Sequence, residues 1–155
     1  MTTTPAVISE RGQTPAEHVV VRGKASGFLQ KATVGKYAFD VDEPTRVGGT
    51  DSAPDPYDYL LAALGSCTSM TVGYYARRNK IPLEEVTVRL SHSRIHARDC
   101  EECVTKAGML DRIELKVEFT GPVTPEQHAK LMEVAAKCPV HRTLKSEINI
   151  RLRPA

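Results

Sequence analysis

The sequence predicts an α+β fold in which strands cluster around two buried helices. Short segments rich in β-branched and aromatic residues lie before the first predicted helix and again between it and the second. The helices carry apolar residues at three- and four-residue steps, and the two element types do not alternate regularly. This order favours an α+β fold over a doubly wound one. The 155 residues suit one domain. We expect it at residues 17–155, after a flexible tail at residues 1–16 that is rich in Thr and Pro.

Three short segments predict an antiparallel meander, because they are rich in β-branched and aromatic residues and are separated by Gly-containing turns. They are His18–Arg22, Gly27–Val34 and Lys36–Val41. A loop dense in Gly, Pro and Asp follows. The first helix then begins with Asp55 as its cap and Pro56 at its first position. Its middle is apolar nearly all round, which indicates burial on several sides.

The second half of the chain predicts two long strands, a helix, a short further helix and a closing strand. Thr124 caps the second helix, and Gln127 occupies its capping-box position. The short helix begins at Pro139. The strands are predicted from alternation at period two, at Glu85–His96, Met109–Phe119 and Ser146–Leu152.

Charge and composition argue against nucleic-acid and membrane partners. The net charge is +2, and acidic and basic residues are mixed along the chain. No apolar run approaches the roughly 20 residues that span a bilayer. The N-terminus also lacks the basic start and apolar core of a signal peptide, so we expect a cytoplasmic protein. Thiols are normally reduced there, so the four cysteines are expected to be catalytic, metal-binding or buried rather than permanent cross-links.

Cys67 and Cys138 are the leading candidates for chemistry. Cys67 lies in the apolar first helix, where a thiol is most simply a small buried residue. Gly65, however, thins the preceding turn and would let a small molecule approach. Cys138 directly precedes Pro139, so the N–H groups that open the next helix would stabilise its thiolate. A buried structural residue remains the alternative for each thiol, but two such thiols in a cytoplasmic chain favour a redox pair.

Asp58 is a candidate carboxylate with two interpretations. It precedes Cys67 by nine residues, which places it on the opposite face of a regular helix and roughly 13 Å away along its axis. It would then act at the site of a second copy across a dimer interface, where it would hold an arginine that stabilises the thiolate. Alternatively, its charge only complements the helix dipole.

Cys100 and Cys103 form a C-x-x-C motif, which is typical of a redox pair or of half a zinc site. His92 and His96 precede the motif, but they would lie more than ~12 Å apart along a continuous strand. A reversible surface disulfide is therefore favoured over zinc, and an inert loop remains the third alternative.

Two segments resemble the motifs of the OsmC/Ohr family of thiol peroxidases. The first is Gly48–Thr71, which contains Leu-Leu-Ala-Ala-Leu-Gly-Ser-Cys67. The second is Ala136–Leu144, which contains Cys138-Pro-Val-His. The segments occur in the order found in the family, and with the surrounding strands the resemblance covers nearly all of residues 17–155. The first motif is most similar to the OsmC-like branch.

This resemblance implies an intertwined homodimer, in which six-stranded antiparallel sheets wrap around two central helices and two active sites lie at the subunit interface. Cys67 would be the peroxidatic cysteine that an organic hydroperoxide oxidises. Cys138 would be the resolving cysteine that closes a disulfide with it. A dithiol or lipoyl-type reductant would then reset the pair, and neither a cofactor nor a metal is expected.

Two positions depart from the pattern of the family. Tyr57 stands where the peroxidases of the family usually have Glu, and Asp58 follows one position later. The arginine of the family has no aligned counterpart, so Arg22 and Arg46 are the candidate cations. The alternative function is a non-catalytic dimer of the same fold that senses redox state or binds a metal or a hydrophobic ligand.

Overall fold

The computed structural model describes residues 18–155, so the predicted tail at residues 1–16 lies outside the described residues and the domain boundary stays a prediction. The strands are β1 Val19–Gly23, β2 Gln30–Val34, β3 Tyr37–Val41, β4 Glu85–His96 and β5 Met109–Thr120. The helices are α1 Pro56–Arg78, α2 Pro125–Ala135 and α3 Pro139–Lys145. Both sheets are antiparallel, which confirms the predicted α+β class.

The chain divides into two compact units, residues 1–62 and residues 63–155. In the described part of the first unit, β1, β2 and β3 form the predicted meander. The rings of Phe39 and Tyr59 lie 4.7 Å apart between centroids. The Tyr59 hydroxyl also donates a hydrogen bond to the carbonyl oxygen of Asp40 at 2.6 Å. These two contacts fasten the first turn of α1 to β3.

The loop between β3 and α1 is organised by a buried carboxylate, Asp42, which is 1% exposed. One of its oxygens accepts hydrogen bonds from the N–H and the hydroxyl of both Thr50 and Ser52, at 2.6 to 3.1 Å. These donors, the Thr50 hydroxyl foremost, hold the pKa of Asp42 well below its usual range. The loop is therefore fixed before α1 begins.

The predicted start of α1 is confirmed. The Asp58 N–H donates to Asp55 Oδ1 at 2.9 Å, and the Asp55 N–H donates to the Asp58 carboxylate at 3.1 Å. Such reciprocal bonds satisfy donors that a helix start leaves open. Further along, a Cβ added at Gly65 would lie only 2.6 Å from Leu90 Cδ1. Glycine at this position therefore permits close packing of α1 on β4.

In the second unit, β4 and β5 form a hairpin that is paired along all 12 residues of each strand. Thr124 and Gln127 form the predicted capping box of α2. A hydrophobic cluster on α1 and α2 consists of the buried residues Val72, Ala76, Leu131 and Ala135. None of the helices in residues 18–155 is both long and apolar enough to cross a bilayer.

The prediction of a closing strand at Ser146–Leu152 is wrong within the described residues 18–155. Residues 146–155 contain no helix or strand, and Ile148, Ile150 and Leu152 are 51%, 86% and 98% exposed. A strand needs an edge to hydrogen-bond to and an apolar surface to cover. Within residues 18–155 this segment pairs with neither sheet, so its alternating apolar residues stay half or more exposed.

Candidate active site

Two free thiols, Cys67 and Cys138, lie against each other in the second unit. Cys67 comes from the middle of α1, and Cys138 is the N-cap residue of α3. The Cys138 thiol lies near enough to Cys67 to influence its pKa. Cys67 is half-buried, whereas Cys138 is completely buried. A small oxidant that arrives from solvent therefore reaches the sulfur of Cys67 first.

The sulfur of Cys138 is held by two polar groups. The backbone N–H of His141 donates to Cys138 Sγ at 3.3 Å, because an N-cap side chain accepts from an open N–H of the first helical turn. The hydroxyl oxygen of Thr68 lies 3.5 Å from the same sulfur and is fully buried. Cys138 thus faces Cys67 from a fixed position.

The environment of Cys67 disfavours its thiolate in the chain as described. Burial is the largest influence and raises the pKa of the Cys67 thiol, and the neighbouring Cys138 raises the pKa further. The Val140 N–H opposes this and lowers the pKa. The Thr71 hydroxyl, which donates to the Cys67 carbonyl oxygen at 2.7 Å, also lowers the pKa. None of these influences comes from a cationic side chain. A positive charge beside the sulfur would oppose these influences and favour the thiolate.

The two other groups of candidate residues belong to the first unit. Asp58 is engaged with Asp55 at the start of α1, and Arg46 lies in the loop before it. Asp58 and Arg46 both line an open cavity of about 460 Å³ in this unit. Arg22 lies on β1 and is exposed. The catalytic role of Asp58 and the choice between the two arginines stay predictions.

Cys100 and Cys103 are joined in a disulfide, with their Cα atoms 5.4 Å apart. The sequence left a disulfide, a zinc site and an inert loop as alternatives for this motif, and the structure contains the disulfide. Both sulfurs are used in the bond, and His92 contacts Asp111 with Nε2 at 3.0 Å from Oδ1. No group of three or more His, Cys, Asp or Glu side chains within residues 18–155 is arranged to hold a metal ion.

Sequence reasoning did not identify the contact of Thr68 with Cys138 or that of Val140 with Cys67. The contact of Val140 could have been expected from the sequence. Pro139 opens α3, so the N–H groups of Val140 and His141 have no partner within the helix. No comparable signal existed for Thr68, since its contact depends on how α1 and α3 pack.

The sequence model of the OsmC-like protein family matches residues 49–153. The chain is similar in structure to an OsmC-like protein from Mycoplasma pneumoniae, with a TM-score of 0.64, 18% identity, and coverage of 85% of this chain and 89% of that one. It is also similar to an organic hydroperoxide resistance protein from Legionella pneumophila, with a TM-score of 0.60, 19% identity, and coverage of 85% and 92%.

A third similar structure is the organic hydroperoxide resistance protein OhrB of Bacillus subtilis, with a TM-score of 0.57, 18% identity, and coverage of 82% of this chain and 88% of that one. No curated protein matches the chain at a significant level. At these identities the structural similarity shows a shared fold, and the match to the family model shows the family.

Proposed function

This chain belongs to the OsmC-like family, and from that premise we propose that it is a cysteine-based peroxidase that reduces organic hydroperoxides. The observation that carries the proposal is the proximity of two free thiols, Cys67 and Cys138, which come from distant parts of the sequence. The names of the Legionella pneumophila and Bacillus subtilis proteins, which share the fold, support organic hydroperoxides as the substrate class.

Cys67 performs the first step as a thiolate. Its sulfur attacks the terminal oxygen of the hydroperoxide, the O–O bond breaks, and the alkoxide leaves and takes up a proton to become an alcohol. Cys67 is thereby oxidised to a sulfenic acid. The Val140 N–H stabilises the attacking thiolate.

Cys138 performs the second step. Its thiolate attacks the sulfenic sulfur of Cys67, an S–S bond forms, and the hydroxyl group leaves as water after it takes up a proton. The His141 N–H stabilises the attacking Cys138 sulfur from 3.3 Å. A dithiol then reduces the new disulfide by exchange, and it leaves as a disulfide itself while both cysteines regain their thiols.

No cationic side chain in the described residues is among the influences on the pKa of Cys67. Because burial raises the pKa of Cys67, efficient attack on peroxide at neutral pH needs a cation beside the sulfur. Arg22 and Arg46 are the candidate cations for this role. Alkylation kinetics of Arg22→Ala and Arg46→Ala test them, because loss of the activating charge should raise the pKa of Cys67.

Several exposed apolar side chains support a homodimer. Met70 lies less than one turn beyond Cys67 on α1 and is 68% exposed. Ile150 and Leu152 are 86% and 98% exposed and alternate with polar residues, as in a half-buried strand. A second copy of the chain would cover these residues and give the C-terminal segment a sheet edge to pair with.

The test is the consumption of cumene hydroperoxide by reduced full-length protein, with dihydrolipoamide as the reductant. Wild type should turn over, and one equivalent of peroxide without reductant should yield a Cys67–Cys138 disulfide. Cys67→Ser should abolish both results. Cys138→Ser should still reduce one equivalent of peroxide but should accumulate a sulfenic acid. Wild-type turnover no faster than that of Cys67→Ser would refute the proposal.

One observation favours a second candidate function, a redox-sensing dimer without efficient turnover. A thiol whose pKa is raised, as that of Cys67 is, reacts slowly with peroxide but still forms a disulfide with an adjacent thiol over longer times. A sensor of this kind would consume peroxide stoichiometrically and would not turn over with any dithiol. Steady-state kinetics with dihydrolipoamide and with dithiothreitol distinguish the two functions.

A further inference from the structure

The loop between β4 and β5 contains a second sulfur pair that the proposed peroxidase cycle does not use. Cys100 and Cys103 form a disulfide across a sequence separation of 3. The two residues differ in burial, because Cys100 is 4% exposed whereas Cys103 is only half-buried. Cys103 is therefore the more accessible residue of the pair.

This disulfide does little to hold the loop in place. A cross-link stabilises a fold mainly by restricting the unfolded chain, and one that spans so few residues restricts it least. The loop also has its own hydrogen bonds. The Ala97 N–H donates to the Gly108 carbonyl at 2.8 Å, and Lys106 Nζ donates to the Glu101 carbonyl at 3.0 Å. These bonds leave the loop anchored when the disulfide opens.

The uneven burial sets the direction in which the disulfide can react. An attacking thiolate must approach along the S–S axis from outside, which favours attack at the more exposed cysteine, Cys103. The inner sulfur, that of Cys100, is then the leaving group. Where a compartment is reducing, the disulfides that do form are usually catalytic or redox-sensing.

We propose that Cys100 and Cys103 form a second thiol–disulfide exchange centre, which accepts electrons from dithiols through the sulfur of Cys103. One thiolate of the dithiol attacks Cys103 Sγ, the bond to Cys100 breaks, and Cys100 leaves as a thiolate and takes up a proton. The second thiol of the dithiol then attacks its own mixed disulfide. Cys103 is released as a thiol, and the dithiol leaves as a cyclic disulfide.

The first experiment follows this opening in the folded, full-length protein. The protein is incubated with dithiothreitol at neutral pH, the thiols are trapped with iodoacetamide, and the protein is then digested with trypsin. The sequence separates the sites into the peptides 99–106, 47–77 and 138–142, which carry the C-x-x-C pair, Cys67 and Cys138 respectively. Peptide 99–106 should pass from unlabelled to doubly labelled without denaturant. Labelling that appears only after denaturation would overturn the proposal.

The second experiment identifies the sulfur at which exchange begins, with two matched variants. Cys100→Ser leaves the outer thiol alone, and Cys103→Ser leaves the inner one alone. Each folded variant is mixed with glutathione disulfide, and the mixed disulfide on peptide 99–106 is measured over time. It should form at least about tenfold faster in Cys100→Ser, because access controls the rate. Equal rates would contradict Cys103 as the point of attack.

This inference does not rest on the peroxidase function. In Cys67→Ser, which should lose peroxide reduction, peptide 99–106 should open with dithiothreitol at the wild-type rate. If peroxidase activity is absent from wild type but the peptide still opens, the second centre stands and only the proposed function fails. If opening of the peptide requires Cys67, the pair is not an independent centre and the inference fails.

Discussion

The hydroxyl oxygen of Thr68 lies 3.5 Å from the sulfur of Cys138 and 2.9 Å from the carbonyl oxygen of Leu64. One hydroxyl carries one hydrogen, so it cannot donate fully to both partners at the same time. While Cys138 is a thiol, we infer that Thr68 donates to Leu64 and accepts from the S–H group. When Cys138 becomes a thiolate, the hydroxyl can rotate and donate to the sulfur.

Replacing Thr68 should therefore slow disulfide closure rather than the attack on peroxide. Thr68→Val keeps the shape of the side chain but removes the hydroxyl, and a hydrogen bond to a charged group contributes about 1.5–3 kcal/mol, so closure should slow by about tenfold or more. The measurement is the fraction of Cys67 sulfenic acid that dimedone traps after one equivalent of hydroperoxide. This fraction should rise in Thr68→Val.

Thr68→Ser is the matched control, because it restores the hydroxyl and loses only a methyl group. It should return the trapped fraction close to the wild-type value. If the serine variant traps as much sulfenic acid as the valine variant, Thr68 acts through packing alone and the role of its hydroxyl is refuted.

Asp42→Asn should destabilise the loop before α1 and remove an acid-dependent part of the stability. The pKa of Asp42 is lowered in the folded protein, so its contribution is fully present above the pKa of an unfolded Asp, about 3.9. It is lost progressively as the pH falls through that value toward the folded pKa. Thermal unfolding at neutral pH should show a lower midpoint for Asp42→Asn than for wild type.

The pH dependence of the unfolding midpoint of Asp42→Asn tests the direction of this effect. Between pH 7 and pH 3 the unfolding midpoint of wild type should fall more steeply than that of Asp42→Asn, so that the two curves converge in acid. Parallel curves would mean that the carboxylate is not what Thr50 and Ser52 stabilise.

Two glycines of α1 should respond in opposite ways to replacement by alanine. A Cβ at Gly65 would lie 2.6 Å from Leu90 Cδ1, whereas a Cβ at Gly73 would find its nearest neighbour, the Arg77 side chain, at 3.4 Å. Gly73→Ala should stabilise the protein by up to about 1 kcal/mol, since alanine favours helix. Gly65→Ala should lose this gain and cost about 1–3 kcal/mol from overpacking.

Urea denaturation of the two single variants measures this difference. Leu90→Ala should relieve the contact, so the cost of Gly65→Ala should shrink in the double variant. Equal stability of the two glycine variants would show that the side chain of Leu90 moves aside freely.

Most elements could be predicted from the sequence because their signals are local. The cap formed by Thr124 and Gln127 and the start of α1 at Pro56 depend on residues within one helical turn, and both are confirmed. The approach of Cys138 to Cys67 is different in kind. No local pattern brings the two residues together. The presence of two such thiols favoured a redox pair, and the resemblance to a family implied where and how they would meet.

Two features could not be predicted, for a similar physical reason. The contact of Thr68 with Cys138 depends on the packing of α1 against α3. The period-two pattern at Ser146–Leu152 is real, but alternation reports only which side chains could be buried and not which surface buries them. Without a partner surface in the described chain, the pattern does not produce a strand.

Ile150 should therefore matter more for assembly than for the stability of a single chain. Its side chain is 86% exposed, so Ile150→Lys removes no packing within one protomer. In a dimer that covers it, each buried isoleucine contributes about 1.5–3 kcal/mol, and both copies lose it. The dissociation constant should then rise by on the order of a hundredfold or more.

Sedimentation velocity over a range of protein concentrations measures this shift. Asn149→Lys is the matched control, because it adds the same charge one residue away on the opposite side of the alternating pattern. It should leave the dimer largely intact. Equal weakening by both variants would show that charge rather than burial is responsible. A wild-type chain that stays monomeric at every concentration would refute the proposed dimer.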